Sequence, residues 1–358
     1  TAQERSLAVQ LGIPIYGCDP DLVHRGSKSG SREIFRRAGV PLPYGHERLR
    51  DANDIARALA DLKRHDPSLR RAMVKLDEGF SGEGNAVFTF DGVPESTVRA
   101  ESADALVRWV HRAMPSHLDC VAGAETWESF LQKFSTMHGI VESFVSGDVA
   151  RSPSVQCRID PLQHATVVAT HDQILGGSTG QIYLGCRFPA DEAYCPELHE
   201  YGSRVAQVLA QDGVLARFAI DFMTVQRDGQ WHTTAIEINL RKGGTTHPFL
   251  MLQFLTDGEY DTATGRFFSS AGNPCCYHAT DNLQRAEYTG LSPERLIDIA
   301  VNHDLHFDAA TQEGVMFHLI GALASHGKVG TLCVGRTRDN AERFYTQTVA
   351  ALDVACTV

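Results

Sequence analysis

One segment of this 358-residue chain restricts the fold more than any other. It covers residues 216–248 and reads ARFAIDFMTVQRDGQWHTTAIEINLRKGGTTHP. Two runs rich in β-branched and aromatic residues, 219–225 and 231–240, lie on either side of Asp228 and Gly229. An Asp-Gly pair between two such runs is typical of a β-hairpin. The sequence therefore predicts two antiparallel strands joined by a tight turn.

The alternation of side chains along the second strand separates polar from apolar residues. One face takes the polar set, which is Glu237, Asn239 and Arg241. The other face takes Ile236, Ile238 and Leu240. Asp221 on the first strand can lie opposite Glu237. The polar face fits a Mg²⁺ site, because Mg²⁺ prefers a few hard oxygen ligands. It also fits the solvated outer face of an ordinary hairpin.

The loop that follows the hairpin favours the functional interpretation. It offers free backbone N–H groups and hydroxyls at Gly243, Gly244, Thr245 and His247, directly after the charged strand. Such groups can surround an anion, and the Arg241 guanidinium can stabilise one as it develops. We therefore expect this loop to contact substrate.

Two lysines earlier in the chain precede features that suit phosphate binding. Lys28 stands just before a predicted helix over 32–38, for which Ser31 can serve as the N-cap. Lys75 ends a predicted strand and is followed by a loop with glycines at 79, 82 and 84 and a second strand over 86–90. Glycine-rich loops can wrap phosphates, but a plain hairpin turn has the same composition. The sequence contains no G-x-x-x-x-G-K-[ST] motif, which disfavours a P-loop enzyme.

Composition excludes several classes of protein. The formal net charge of −11 disfavours general nucleic-acid binding, although a local basic cleft can still hold ATP. The nine cysteines contain no C-x-x-C pair, so we expect reduced thiols and a cytoplasmic location. No apolar run of 18 residues and no signal peptide are present in this sequence, and we expect no membrane partner.

The order of helical and strand patterns predicts an α/β protein with several sub-domains. We assign residues 1–30 to the end of an N-terminal domain whose remainder is absent. Residues 31–145 form a sub-domain that carries the Gly-rich loop, and 146–259 form a second one that carries the metal site. From about residue 260 the composition becomes polar and Gly-rich, which predicts a small C-terminal α/β element over 260–358.

The lysine before a helix that ends in AGVP, the lysine before the Gly-rich hairpin and E-x-N-x-R together resemble the ATP-grasp superfamily of carboxylate–amine ligases. The resemblance covers about residues 20–250. The stretches SKSGSREIFRRAGVPLP, VKLDEGFSGEGN, SPSVQCRI and EINLRKGGTTHPF are similar to the pheganomycin peptide ligase branch. This resemblance implies an ATP-grasp fold, in which two sub-domains grip ATP.

The resemblance also implies roles for particular residues. ATP would contact Lys28, Lys75, Gly79, Ser81, Gly82, Gly84, Glu142, Ser143, Phe144, Val145 and Asp148. Mg²⁺ would be held by Asp221, Glu237 and Asn239. Arg241 would stabilise an acylphosphate and the intermediate that follows it. Some relatives carry arginine where this chain has Ala219, and Arg217 is the candidate replacement. Arg158 and Arg187 either face the cleft and bind substrate or lie on the surface.

These features predict an ATP-dependent ligase, of peptide-ligase type, that joins a small-molecule acid to an amine or peptide. A small-molecule kinase on the same fold and a non-catalytic nucleotide-binding protein are the alternatives. Transfer through an acylphosphate needs no Ser–His–Asp or Cys–His arrangement, and the sequence shows no strong general base near the proposed site. It leaves open the identity of the substrates and whether the protein forms a homo-oligomer.

Overall fold

The computed structural model describes residues 1–79, 84–99, 102–122, 125–176 and 182–356. The elements of the first part are, in chain order, α1 (Ala2–Leu11), α2 (Lys28–Ala38), β1 (Gly45–Leu49), α3 (Ala52–His65), β2 (Arg71–Leu76), β3 (Asn85–Thr89), α4 (Glu95–Val98), α5 (Asp104–His117), β4 (Leu118–Cys120), α6 (Trp127–Met137) and β5 (Gly139–Ser143). The five strands form one antiparallel sheet in the order β1-β5-β2-β3-β4. Helices α3, α5 and α6 contribute apolar side chains to its core.

A larger antiparallel sheet occupies the rest of the chain. Its elements are β6 (Val149–Arg151), β7 (Pro153–Ile159), β8 (Ala165–Gly176), β9 (Ile182–Phe188), α7 (Cys195–Gln211), β10 (Ala216–Arg227), β11 (Gln230–Asn239), α8 (Thr246–Thr256), β12 (Glu259–Asp261), β13 (Arg266–Phe268), β14 (Cys276–Gln284), α9 (Pro293–Asn302), β15 (Gly314–His318), α10 (Leu323–His326), β16 (Lys328–Gly335) and α11 (Arg338–Cys356). The strand order is β11-β10-β7-β8-β9-β14-β16-β15, and β6 pairs with β10. Strands β12 and β13 form a separate pair.

Helix caps show why two of the helices begin where they do. The Asp51 carboxylate accepts hydrogen bonds from the N–H groups of Asn53 and Asp54, at the start of α3. Ser292 caps α9 in the same way. Such side chains satisfy N–H groups that have no partner inside the helix.

Helix α2 begins earlier than the sequence predicted. Ser27, not Ser31, is its N-cap, and its hydroxyl accepts from the Gly30 N–H at 3.0 Å. Lys28 is therefore the first residue of the helix, and Ser31 lies inside it. The chain offers three serines before the apolar stretch, Ser27, Ser29 and Ser31, and the first of them is the cap.

Three apolar cores stabilise the large sheet. Helices α2 and α7 cover one face, where Ile34 and Phe35 pack with Leu198 and Val205. Helix α8 packs on a second group of side chains that includes Phe188 and Tyr277. A third core lies among the C-terminal helices and strands.

The C-terminal strands are continuous with the sheet that carries the hairpin. Strand β14 pairs with β9, and Ala279 lies opposite Cys186. The sequence predicted a C-terminal α/β element with a polar and Gly-rich entry, and β14 begins within that entry. All nine cysteines are unpaired thiols. Within the part of the chain that the structure describes, no helix is long and apolar enough to cross a membrane.

Candidate functional site

A cleft of about 750 Å³ lies between the two sheets. Strand β2 and the segment after β5 supply one wall, and strands β7 to β11 supply the other. The charged and amide side chains that line it are Lys28, Lys75, Asn85, Glu142, Gln173, Asp221, Glu237, Asn239, Arg241, Asp281, Asn282 and Lys328. Both acidic and basic groups therefore meet in one enclosed space.

The hairpin of β10 and β11 forms as predicted. Its turn is the two-residue pair Asp228 and Gly229, whose φ angles of 50° and 76° are both positive. Turns of this kind favour Asp-Gly, because they match the twist of the flanking strands. Asp221 lies directly opposite Glu237, as the alternation required.

A β-bulge changes which side chains of the hairpin face the cleft. The register shifts between the pair Asp221–Glu237 and the pair Phe222–Ala235, so Ile236 has no partner on β10. Ile236 lines the cleft together with Glu237. The prediction that Ile236 lies on the opposite face is wrong, because a bulge inserts one residue and breaks strict alternation.

Asp221 is surrounded by groups that stabilise its carboxylate. Its Oδ1 accepts from Gln173 Nε2 at 3.0 Å, and its Oδ2 accepts from Asn239 Nδ2 at 2.8 Å. Burial, followed by the negative charge of Glu237, nevertheless raises the pKa of Asp221 to about 6. Two carboxylates held this close are electrostatically unfavourable unless a cation joins them.

The donor set suits a divalent cation with a preference for oxygen. Asp221 and Glu237 offer carboxylate oxygens, and Asn239 offers an amide oxygen if its side chain rotates away from Asp221. Elsewhere in the described residues, no group of three or more His, Cys, Asp or Glu side chains could hold a metal ion. The three residues fit Mg²⁺ better than zinc, since no thiolate or imidazole is among them.

Lys28 neutralises part of this negative charge. Its Nζ lies 2.6 Å from Glu237 Oε1, and its side chain is 7% exposed. The N-terminus of α2 is fixed by Asp77, whose backbone oxygen accepts from Lys28 N and whose carboxylate accepts from Ser29 N. The Ser31 hydroxyl accepts from Ile238 N, which ties α2 to β11. These contacts place Lys28 between the two walls of the cleft.

A second buried lysine belongs to a larger ionic group. Lys75 Nζ lies 2.6 Å from Glu142 Oε1, and Arg32 Nη1 donates to Glu142 Oε2 at 2.7 Å. The Arg32 guanidinium also donates to Pro43 O and to Glu47. Side chains of Arg32 and Glu142 are each 2% exposed. One carboxylate thus holds two cations at the edge of the cleft.

The floor of the cleft comes from the loop after the hairpin. Gly243, Gly244 and Thr245 line it beside Tyr183 of β9. A Cβ atom on Gly244 would lie 2.7 Å from the Tyr183 ring, so only glycine permits this close approach. Thr246 begins α8 directly afterwards, and its hydroxyl accepts from Gly243 N at 3.2 Å.

Comparison with protein families agrees with this architecture. The family model described as IQCH-like, ATP-grasp matches residues 21–99 and 110–263. These segments contain both lysines, the Gly-rich loop and the whole hairpin. The chain belongs to the IQCH-like ATP-grasp family. A second model, described as the PGM1 C-terminal domain, matches residues 295–348 of this ATP-grasp protein.

Two curated proteins are similar in sequence. The L-propargylglycine–L-glutamate ligase of Streptantibioticus cattleyicolor is 33% identical over 323 residues, covering 89% of this chain and 62% of that protein. The IQ motif-containing protein H of Danio rerio is 26% identical over 241 residues, covering 61% of this chain and 23% of that protein. The chain therefore spans less than two thirds of the length of either relative.

Solved structures confirm the predicted ATP-grasp fold. The biotin carboxylase of Campylobacter jejuni, in complex with β-γ-ATP, superposes with a TM-score of 0.56 at 14% identity, covering 94% of this chain and 68% of that one. An N5-carboxyaminoimidazole ribonucleotide synthetase in its ADP complex gives a TM-score of 0.53 at 14% identity, covering 92% and 72%. At this level of identity the similarity establishes the fold alone.

The structure brings most of the predicted site residues of this ATP-grasp chain together. Those on the cleft are Lys28, Lys75, Gly79, Glu142, Ser143, Phe144, Val145, Asp221, Glu237, Asn239, Arg241, Gly243, Gly244 and Thr245. His247 lies next to them, on a smaller cavity. Ser81 and Gly82 fall outside the described residues. Their individual roles stay predictions.

Three predicted arginines lie away from the cleft. The Arg217 guanidinium lies 5.7 Å from the Phe249 ring, beneath α8, so it does not replace the arginine missing at Ala219. Arg158 is exposed at the far end of β7, about 13 Å along the strand from Ser154 on the cleft. Arg187 faces α11, where it pairs with Glu342 at 2.9 Å. None of the three lines the cleft, and for Arg158 and Arg187 this agrees with the surface alternative that the sequence left open.

Two further predictions need correction. Asp148 is exposed and is not among the described residues that line the cleft. Its N–H donates to Gln226 O at 2.9 Å, which makes it part of the junction with β10 rather than a ribose contact. The Glu142 carboxylate is occupied by Lys75 and Arg32, so an adenine amino group would meet the backbone of residues 143–145 instead.

Sequence reasoning missed the residues that come from strands far apart in the chain. Gln173 of β8 and Tyr183 of β9 line the cleft, as do Asp281 and Asn282 of β14 and Lys328 of β16. No local motif marks them, because strand pairing alone brings them together. Asp281 lies in a polar and Gly-rich stretch for which the sequence analysis predicted no strand.

Proposed function

We propose that the chain is an ATP-dependent carboxylate–amine ligase that converts an amino-acid-type carboxylate to an acylphosphate. It then joins this acyl group to the amino group of an amino acid or peptide, with release of ADP and phosphate. The observation that carries this proposal is the convergence of Lys28, Lys75, the acidic hairpin and Arg241 on one cleft. Phosphoryl transfer needs charge neutralisation and positioning more than covalent catalysis.

The nucleotide would lie against the segment that joins the two sub-domains. Ser143, Phe144 and Val145 line the cleft directly after β5, beside Met73. Their backbone groups and apolar surfaces suit an adenine ring. Lys28 and Lys75 are within reach of the same space, and each now pairs with a carboxylate. Phosphates would compete for these ammonium groups and fix their orientation.

Asp221, Glu237 and Asn239 would hold Mg²⁺, which when bound neutralises phosphate charge and orients the transferred group. Lys28 would then give up Glu237 and turn towards the phosphates. The hydrogen bonds from Gln173 and Asn239 already favour the ionised form of Asp221. Arg241 and the loop over 243–245 would bind the acid and the oxyanion formed when the amine attacks.

The relative from Streptantibioticus cattleyicolor supports amino acids as the substrates. Its name describes a ligase of L-propargylglycine and L-glutamate, and its match covers 89% of this chain. We propose an amino acid on at least one side of the bond formed here. A homo-oligomeric state stays a prediction, to be tested by light scattering.

The experiment is a screen for ADP release with Mg²⁺-ATP. The acids and amines are the twenty L-amino acids, L-propargylglycine and short peptides. We expect stoichiometric ADP and phosphate, together with a hydroxamate when hydroxylamine replaces the amine. Stoichiometric AMP would overturn the acylphosphate mechanism. A stable phosphate ester would favour the kinase, and the absence of any ATP consumption would favour a non-catalytic nucleotide-binding protein.

A further inference from the structure

A smaller cavity of about 270 Å³ opens from the cleft, and we call it the branch pocket. Its wall includes Tyr183, Gly244, His247, Asp281, His318 and Leu319. Tyr183, Gly243, Gly244 and Asp281 line both cavities, so the branch pocket is continuous with the cleft. Its far side is built by β14 and by the end of β15, both of which belong to the predicted C-terminal element.

Close backbone approach fixes the aromatic rings around the branch pocket. Strand β16 runs against the His318 ring, and a Cβ atom on Gly330 would lie 2.1 Å from its Cε1. Gly330 lies opposite His318 in the pairing of β15 with β16. Gly244 has the same relation to Tyr183. The rings of Tyr183 and His318 therefore pack directly on glycine backbone, at positions where a Cβ atom would obstruct them.

Asp281 points into this space because of a β-bulge. The pairing of β14 with β16 shifts between Thr280 and Leu283, so Asp281 and Asn282 have no partner in the ladder. Bulges often re-aim a side chain next to an active site. The Thr280 hydroxyl accepts from Asn282 N at 2.9 Å and stabilises the bulge. Asp281 is exposed to the pocket and forms no ion pair with any described residue.

Two histidines lie beside this carboxylate. The rings of His247 and His318 are 4.6 Å apart. Burial, followed by the neighbouring His247, lowers the pKa of His318 below its ordinary value, while Asp281 and a hydrogen bond with the Thr280 backbone act in the opposite direction. The ring is therefore neutral near pH 7, and the nitrogen that does not bond to Thr280 carries a lone pair.

The charge of the branch pocket is opposite to that of the groups proposed to hold phosphate. Lys28, Lys75 and Arg241 suit phosphates and a carboxylate, whereas the described residues that line the branch pocket include Asp281 and no lysine or arginine. An ammonium group satisfies such a carboxylate. An amine substrate arrives as an ammonium ion and must lose a proton before it can attack.

We propose that the branch pocket binds the amine substrate, with Asp281 as the partner of its ammonium group and His318 as the acceptor of its proton. This assignment rests on the proposed ligase function and identifies the half-site for the second substrate. The ammonium ion first gives one proton to the imidazole, which passes it to water. The amine nitrogen then forms a bond to the acyl carbon, and the bond from that carbon to the phosphate oxygen breaks. Phosphate leaves with the electron pair and takes up the second proton from nitrogen.

The test compares Asp281→Asn with Asp298→Asn, which removes the same charge from an exposed position on α9. The amines are the twenty L-amino acids and L-propargylglycine. We expect Asp281→Asn to raise the KM for the amine about 10- to 100-fold, because it loses a charge-assisted hydrogen bond. The KM values for ATP and for the acid should change less than about twofold. Asp298→Asn should leave all three unchanged.

An unchanged KM for the amine in Asp281→Asn would overturn the proposal, as would a parallel rise in the KM for ATP. Binding of the same amino acids, measured by ligand-observed nuclear magnetic resonance without ATP, provides a second readout. Weaker binding to Asp281→Asn than to the wild type is expected, and equal binding or none would count against the pocket. The wild type could form no hydroxamate while amine binding still depends on Asp281. That result would reject the ligase function and would support the branch pocket as an amine-binding site.

Discussion

The two ends of the cleft differ in whether their charged side chains form ion pairs. We call the end of the cleft where ATP is proposed to bind the nucleotide end. There Lys28 pairs with Glu237, and Lys75 shares Glu142 with Arg32. At the branch pocket, Asp281 has no ion-pair partner among the described residues. The nucleotide end is nearly neutral before ligands arrive, whereas the branch pocket keeps a carboxylate exposed to water.

The paired charges at the nucleotide end contribute to the folded structure, whereas the Asp281 carboxylate is available to bind a ligand. A buried ion pair contributes little net stability, but removing one partner leaves an uncompensated charge at a large cost. An exposed carboxylate has no such cost. Substitutions at the nucleotide end should therefore affect folding as well as activity, while substitution of Asp281 at the branch pocket should affect substrate binding alone.

The largest effect is expected for Arg241, which lies on the cleft next to the hairpin and is exposed. Arg241→Ala should lower kcat by about 10²–10³-fold, the usual cost of removing one group that stabilises a developing anion. Lys242→Ala is the matched control, since its ammonium lies over the Tyr16 ring at 4.4 Å. Steady-state ADP release measures both, and a loss within fivefold for Arg241→Ala would contradict its role.

The next effect concerns the buried ionic group. Arg32→Ala should lower the free energy of unfolding by about 3–5 kcal/mol, because Glu142 loses one of its two cations in a buried site. Arg36→Ala removes the pair with Glu47 near the surface and should cost about 1 kcal/mol or less. Urea denaturation measures both. If Arg32→Ala and Arg36→Ala lowered the free energy of unfolding equally, the buried ionic group would matter no more for folding than a surface pair. The contrast between the nucleotide end and the branch pocket would then fail, because Asp281→Asn is also expected to cost little.

A pH-dependent effect should follow from Asp221. Its pKa is about 6 in the folded protein against an ordinary value of 3.8, so the native state binds this proton more tightly than the unfolded state. The carboxylate is consequently destabilising at pH 7 and above, and this penalty disappears as the pH falls towards 4. The difference corresponds to at most about 3 kcal/mol.

Asp221→Asn should remove this penalty while abolishing turnover. The gain in unfolding free energy over the wild type should grow from pH 4 to pH 8, after allowance for one lost hydrogen bond from Gln173 or Asn239. Denaturation at both pH values without nucleotide or Mg²⁺ is the measurement. A constant difference would mean that Asp221 is already ionised at pH 4.

The smallest effect is expected at Arg158, which sequence analysis had proposed as a substrate contact. It is exposed and lies away from both cavities. Arg158→Ala should leave the KM for every substrate within about twofold and should change stability by about 0.5 kcal/mol or less. A selective rise in one KM would mean that the substrate extends beyond the cleft described here.

The nucleotide end could be predicted because its signals are local in sequence. Asp228 and Gly229 specify the turn, and the turn sets which residues of β10 and β11 face each other. Lys28 and Lys75 stand at recognisable boundaries of a helix and a strand. The position of Asp221 opposite Glu237 followed from counting along two adjacent strands.

The residues that β14 and β15 contribute to the branch pocket could not be predicted, because they depend on pairings between distant segments. Asp281 reaches the cleft only because β14 pairs with β9 and contains a bulge, and neither property has a local signature. Arg187 was misplaced for a related reason. Its strand pattern gave the alternation of side chains but not which face of the sheet α11 would cover.

The unbroken nine-stranded sheet has a consequence for how specificity can change. Hydrogen bonds from β11 through β9 to β14 join the hairpin and the C-terminal strands in one sheet, so Asp281 and Asp221 are held by the same hydrogen-bonded framework. The distance between the proposed metal site at Asp221 and the proposed amine site at Asp281 is therefore set by one sheet. Transplanting β14 to β16 from a homologue should exchange the amine that is accepted while the reaction with ATP stays the same.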